Sequence, residues 1–284
     1  MRTDYHEKRF LAKGQDVSIG IDVHKESWQT TIRSEGEEVF HGRLPSQYEA
    51  LKKLIERLPG CTVKVAYEAG PCGFSLYDKL IADGIETIVV PPILIPMESG
   101  NKVKTDRRGF QKLAHLPERG ILKKVYVLSE EDRADRELVR TRRQINEHRS
   151  DTMRQIKSKL LFYGIKPPFT AEQRWSKAYM QWIKEYQFDN DLLRVSLDYL
   201  IELYEYLTSQ LVKITKEVIL LARSKKYSKK VQLLKSVPGI GTLTAIEILV
   251  ELQDMKRFTS SDKLAAYIGL TLNFHLGNIL VRGR

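Results

Sequence analysis

Between Leu193 and Leu221, nine apolar residues (Leu193, Leu197, Leu200, Tyr204, Leu207, Leu211, Ile214, Val218 and Leu221) recur at steps of four and three without a miss. A seam sustained over about four heptads dictates a long helix whose apolar edge must meet another helix. Two partners satisfy it. A second chain would give a coiled coil, whereas the helix predicted just before it would give an intramolecular bundle with an antiparallel neighbour. That preceding segment runs from Glu130 to Gly164, nearly free of Gly and Pro. It crowds Arg136, Arg140, Arg142, Arg143, Arg149, Arg154 and Lys157 around Leu138, Ile145, Ile156 and Leu160. Gly164-Ile-Lys-Pro-Pro168 ends it, and Trp175, Tyr179, Trp182 and Tyr186 follow as rings that should pack in a core or an interface.

Upstream the periodicity changes to that of strands. Val17–Val23 reads as a buried strand, Ser27–Arg33 alternates as a second, and Gly36 marks a turn between strands. Gln47–Leu58 has helical spacing and is stopped by Pro59-Gly60. Strands over Thr62–Tyr67 and Ile85–Val90 then enclose a helix over Phe74–Ala82, and Arg107–Leu116 reads as a further helix. This order predicts an α/β domain with parallel later strands. The expected division is a first domain over 15–128, a helical coiled-coil region over 129–230, and a small helical domain over 231–284. In the last of these, Pro238-Gly239-Ile240-Gly241 precedes an amphipathic helix, Thr242–Leu252.

The charge balance narrows the partners. Lys and Arg number 47 against 36 Asp and Glu, a formal net charge of +11, which favours a polyanion: nucleic acid first, an anionic membrane surface second. A membrane span is not expected, because the most apolar run, Ile85–Met97, is broken by Pro91, Pro92 and Pro96. The charged Met1–Gln15 lacks the apolar region of a secretory signal, so a cytoplasmic, nucleoid-associated location is expected. Two cysteines, Cys61 and Cys72, are too few for a thiolate zinc site or a disulfide scaffold.

Three acids stand where open α/β sheets place their sites, at the C-terminal ends of strands. Asp22 closes the first strand in Gly-Ile-Asp-Val-His-Lys25, and Glu68 closes the strand Thr62–Tyr67. Asp106 sits within Lys104-Thr-Asp-Arg-Arg108 at the start of a predicted helix. Hard carboxylate oxygens of this kind suit Mg²⁺ or Mn²⁺ bound together with substrate phosphates. Each acid alone also fits a solvated surface residue or a helix cap. His24 beside Asp22 reads as a hydrogen-bonded structural residue, and Ser260 and Ser261 as caps of the helix that follows them.

Taken in order and with their flanks, GIDVHK, YEAG and KTDRR resemble the acidic signature of the insertion-sequence one-ten family of transposases, relatives of the Piv-type DNA invertases. The resemblance runs from about Val17 to the end of the chain and includes VPGIG and LAAYIGLT. It implies a RuvC-like, RNase H-like α/β domain, a coiled-coil middle and a C-terminal transposase domain. It further implies metal binding and catalysis by Asp22, Glu68 and Asp106, DNA as substrate (element ends and target) and an RNA guide encoded by the element; the heptad seam, where a second chain fills it, gives a homo-oligomer. Lys104, Arg107, Arg142, Arg143 and Arg149 are candidate phosphate contacts. Pro238, Gly239 and Gly241 form a helix-hairpin-helix-like turn whose backbone N–H groups can face DNA phosphate.

Two departures bear on activity. The family's second Asp, three residues after the position of Asp106, is here Gly109, which offers no ligand. The serine-bearing segment that the family carries beyond LAAYIGLT is here replaced by Leu272–Arg284, a tail read as truncated by a frameshift near Leu272. The sequence therefore predicts an impaired transposase. The competing reading is a catalytically inactive, DNA- or RNA-binding remnant. An actin-like ATPase, suggested by GID at a first strand end, lacks the further Gly-rich phosphate loops that such a fold needs.

Overall fold

The computed structural model describes residues 14–70, 72–91, 125–170 and 173–269, and the backbone of 273–275 and 278–280. The chain divides into two compact units, Met1–Val127 and Leu128–Arg284.

The first unit is built on strands β1 (Asp16–Val23), β2 (Ser27–Ser34), β3 (Glu37–Pro45), β4 (Thr62–Glu68) and β5 (Glu86–Val90), with helices α1 (Tyr48–Ile55) and α2 (Ser75–Ala82). β2 and β3 are joined by a turn in which Glu35 and Gly36 both have positive φ, 50° and 81°, the twist-matched geometry of a two-residue hairpin. The sheet order is β3-β2-β1-β4-β5. β1 pairs antiparallel with β2, and β2 with β3. β4 runs parallel to β1, and β5 parallel to β4. Alternation sends Val17, Ile19 and Ile21 of β1, Val65 and Tyr67 of β4 and Val89 of β5 to one face. There they join Leu51 and Leu54 of α1 and Leu76 and Leu80 of α2 in a single core. The opposite face is also shielded from solvent, since Ser18, Thr31, Ala66, Ile88 and Val90 are all buried. Parallel strands buried on both faces are the rule for α/β architecture.

The second unit is helical: α3 (Glu130–Phe162), α4 (Lys177–Glu185), α5 (Asp191–Arg223), α6 (Ser228–Lys235), α7 (Thr242–Leu252) and α8 (Ser261–Tyr267). Backbone alone describes two short antiparallel strands, β6 (Asn273–His275) and β7 (Asn278–Leu280). Caps fix where the long helices begin. Ser129 Oγ accepts from the N–H of Asp132 at 3.1 Å, and Asn190 Oδ1 accepts from the N–H of Leu192 at 2.9 Å. Ser260 caps α8 in the same way, accepting from Lys263 N–H at 3.3 Å.

The heptad seam of α5 is filled from within the chain. Arg142 bonds Thr215, and Lys159 bonds Ser196, so α3 and α5 run antiparallel with their long axes in contact. At one end of this hairpin Ile156, Leu160, Leu197, Ile201 and Tyr204 enclose Tyr179 and Ile183 of α4. Phe169, Trp175 and Trp182 stack around Tyr179 at centroid distances of 5.3–5.9 Å. At the other end Val139, Val218 and Ala222 pack with Val231 of α6 and Ala245, Ile246, Leu249 and Val250 of α7.

Candidate functional site

Asp22 and Glu68 lie at the C-terminal ends of neighbouring parallel strands, one residue beyond the last registered pair, Ile21–Tyr67. Both fall on the parity opposite to the core-facing Ile21 and Tyr67, so they share a face of the sheet. Across adjacent strands that places them about 5 Å apart in backbone. His24 Nε2 lies 3.1 Å from Asp22 Oδ2, and the Asp22 side chain is 21% exposed, open enough to meet a ligand. Asp106, with Lys104, Arg107 and Gly109, lies outside the described residues. Among the described residues no three His, Cys, Asp or Glu side chains converge as a metal site. Two carboxylates on one face nevertheless fit a Mg²⁺-type ion, which commonly takes one or two carboxylates and fills its shell with water and phosphate oxygens.

In the second unit the arginines of α3 divide by function. Arg136 donates through Nε and Nη2 to the carbonyls of Val250 and Glu251, at 3.1 and 3.0 Å, covering the C-terminal end of α7. Arg140 holds Glu251. Arg142 is turned into the seam at Thr215, 3.0 Å away. Arg143 is 68% exposed and pairs with Glu147 at 2.9 Å, with Glu247 of α7 at 4.0 Å. Arg149 is half-buried, and among the described residues its Nε has no hydrogen-bond partner. Much of the arginine row is thus a seat for α7. The contributions of Glu247 and Glu251 left no local signal, because the acids lie about a hundred residues from the arginines they meet.

The turn between α6 and α7 is exposed at Pro238, Gly239 and Gly241. Gly239 has φ +88°, a conformation that other residues adopt at a cost. Gly241 is the N-cap of α7 and supplies no side-chain cap, so the first N–H groups of α7 remain available to an external acceptor. Beside the turn, Lys229, Lys230 and Lys235 of α6 are exposed, as is Lys225 just before it.

Lys226 ties this region to the start of α3. Its ammonium lies 2.6 Å from Asp135, 2.8 Å from Asp132 and 3.1 Å from Glu131. Burial works against its charge, but these three carboxylates outweigh it and raise the lysine above its usual range. Tyr227 donates to Asp135 at 2.9 Å, and burial together with that acid pushes its phenol up to about 12. Cys61 is half-buried and Cys72 exposed, and neither is joined in a disulfide. No described helix is long and apolar enough to cross a membrane.

Comparison with known proteins adds a family. A model of the IS110 type, described as a transposase, matches residues 19–165, and a second, described as transposase IS116/IS110/IS902 family, matches residues 231–275. The chain is 29% identical over 267 residues to y4qE of Sinorhizobium fredii, which carries a transposase name, covering 92% of this chain and 65% of that one. It is 30% identical over 247 residues to the transposase for insertion sequence element IS1533 of Leptospira borgpetersenii, covering 84% and 70%. With the transposase for insertion sequence element IS1111A of Coxiella burnetii it shares 23% identity over 265 residues, covering 92% and 70%. The chain thus spans about two thirds of the length of these relatives.

Proposed function

Because this chain belongs to the IS110 family of transposases, we propose that it acts on insertion-sequence DNA, cleaving and exchanging strands with divalent cations held at the end of its sheet. The observation that carries this reading is the pairing of Asp22 and Glu68 on one face, at the C-terminal ends of parallel β1 and β4. The sheet order, three antiparallel strands followed by two parallel ones, supports an RNase H-like, RuvC-like domain.

In this reading Asp22 and Glu68 would hold Mg²⁺ or Mn²⁺ through carboxylate oxygens, with Asp106 as a third ligand. Ions bound there would supply Lewis-acid activation of a water and charge stabilisation of the leaving oxygen of a phosphodiester. His24 orients Asp22 through its hydrogen bond to Oδ2. The exposed turn at Gly239 and the uncapped start of α7 receive backbone phosphate, which positions nucleic acid without reading its sequence. Lys225, Lys229 and Lys230 extend that surface toward DNA or an element-encoded guide RNA.

The test is nicking of labelled element-end DNA by the full chain, with Mg²⁺ or Mn²⁺ and RNA transcribed from the element. Cleavage that disappears in Asp22→Asn and in Glu68→Gln supports the reading; cleavage that persists in both overturns it. A second reading is favoured by Gly109, which stands where the family has an acid: an inactive remnant that still binds nucleic acid. Binding without nicking by the unaltered chain selects it.

A further inference from the structure

Arg136, Arg140 and Arg143 step along α3 by four and three residues and so share one face of the helix. Arg136 is committed to the carbonyls that end α7. The other two meet carboxylates. Arg140 reaches both oxygens of Glu251, at 2.7 and 2.8 Å, and Arg143 meets Glu147 at 2.9 Å and Glu247 at 4.0 Å. These five charged side chains, with Val139 and Gln144, line a groove of about 450 Å³ between α3 and α7. Glu247 and Glu251 stand about one turn apart on α7. A guanidinium binds a carboxylate and a phosphate through the same two-pronged donor geometry, so the two acids hold Arg140 and Arg143 in the manner that a nucleic-acid backbone would.

The seating of α7 does not depend on these pairs. Its Ala245, Ile246, Leu249 and Val250 are buried in the core shared with α3 and α5, and Arg136 grips its last carbonyls. Arg140 and Arg143 remain 51% and 68% exposed, and ion pairs so open to water add little to stability. Their larger effect is on the charge the surface presents. The chain carries a net charge of +11, and two further unmatched guanidiniums would lengthen its cationic surface. Each phosphate that such a surface neutralises strengthens binding to any nucleic acid, whatever its sequence.

We propose that Glu247 and Glu251 are an internal stand-in for phosphate, occupying Arg140 and Arg143 so that this face of α3 is kept from gripping nucleic acid indiscriminately while α7 is seated. The contact is autoinhibitory: it lowers affinity for sequence-independent polyanions and leaves binding to the surfaces outside the groove. The inference rests on the nucleic-acid-binding part of the proposed function and not on cleavage.

Fluorescence anisotropy of a labelled DNA duplex of unrelated sequence, titrated with the full chain in EDTA over a series of salt concentrations, tests it. Glu247→Gln with Glu251→Gln should bind several-fold tighter than the parent at low salt. The slope of log affinity against log salt should steepen by about one to two, since each phosphate newly held adds about 0.9. Glu202→Gln with Glu217→Gln removes the same charge from exposed positions on α5 and should gain far less. Arg140→Gln with Arg143→Gln should weaken binding several-fold more in the Glu247→Gln, Glu251→Gln background than in the parent. A gain no larger than that of the α5 pair, or equal losses in the two backgrounds, overturns the proposal. If the doubly altered chain loses helical circular dichroism, Glu247→Gln alone, which leaves Arg140 on Glu251, is read against Arg143→Gln in the same way, with about half the change in slope. The assay contains no divalent metal, so a failure to nick DNA counts against the cleavage reading alone.

Discussion

Arg140 holds Glu251 with both arms of its guanidinium, Nε to Oε1 at 2.7 Å and Nη2 to Oε2 at 2.8 Å, across 111 residues of sequence. One turn earlier on α3, Arg136 reaches the same end of α7 by its backbone. The two contacts differ in exposure, 51% for Arg140 and 19% for Arg136. Arg136→Ala should therefore cost about 2 kcal/mol, since two charged hydrogen bonds to the carbonyls that end α7 are lost. Arg140→Ala should cost under about 1 kcal/mol, as solvent screens the exposed pair. Urea unfolding followed by circular dichroism ranks the two. The reverse order would mean that water replaces Arg136 at the helix end.

Stability should fall at both pH extremes for identifiable reasons. Arg140 hydrogen bonds outweigh the burial penalty and hold the Glu251 carboxyl below its usual value. A lowered folded pKa contributes stability above the unfolded value of about 4.3, lost as pH drops through the folded one. Glu251→Gln should flatten the acid side of the melting profile. An unchanged acid limb would assign the loss to other carboxylates.

For Tyr227 the sign reverses. Burial, with the hydrogen bond to Asp135, raises its pKa from 10.0 to about 12, so the fold favours the neutral phenol. That contribution is intact below the unfolded value and disappears as pH rises from about 10 to about 12. Burial also raises the phenols of Tyr48 and Tyr179, so tyrosinate absorbance should show several late-titrating groups, and Tyr227→Phe should lower the amplitude of that late phase by one tyrosine. An unreduced late phase would mean that Tyr227 titrates with the ordinary phenols.

Thr30 is fully buried among the strands of the first unit, and among the described residues its Oγ1 has no hydrogen-bond partner. An unsatisfied buried hydroxyl is costly, so Thr30→Val, of similar shape, should stabilise by about 1 kcal/mol. A fall in the unfolding midpoint would show that the hydroxyl is satisfied in solution.

At Gly239 a Cβ would meet no atom within 4 Å, so an added methyl encounters only backbone strain at φ +88°. Gly239→Ala should cost about 1 kcal/mol and weaken DNA binding if phosphate approaches this turn. Unchanged affinity in fluorescence anisotropy would remove the turn from the interface.

Strand periodicity made the α/β unit legible, and a Gly placed where positive φ is needed did the same for the Gly36 turn. Asp22 and Glu68 were readable as strand-end acids because β1 and β4 are short, apolar and bounded by turns. The partner of the α5 seam was harder to read. α3 buries only Val139, Thr152, Ile156 and Leu160 over 33 residues, and its arginines look like a solvated or DNA-facing surface until α7 is seen to sit on them. Pairings such as Arg136 with Val250 depend on chain path, which local pattern does not encode. Asp106, the third acid of the signature, lies outside the described residues.

The seat that α3 provides for α7 also imposes an order on synthesis. Arg136 is synthesised more than a hundred residues before α7 is complete, and at ordinary elongation rates that interval is on the order of ten seconds. Through that time the arginines of nascent α3 have no acids of α7 to meet, while α5 emerges and closes the hairpin. A chain arrested before Glu247 would keep the paired hairpin but leave Arg140 without Glu251 and Arg143 without Glu247.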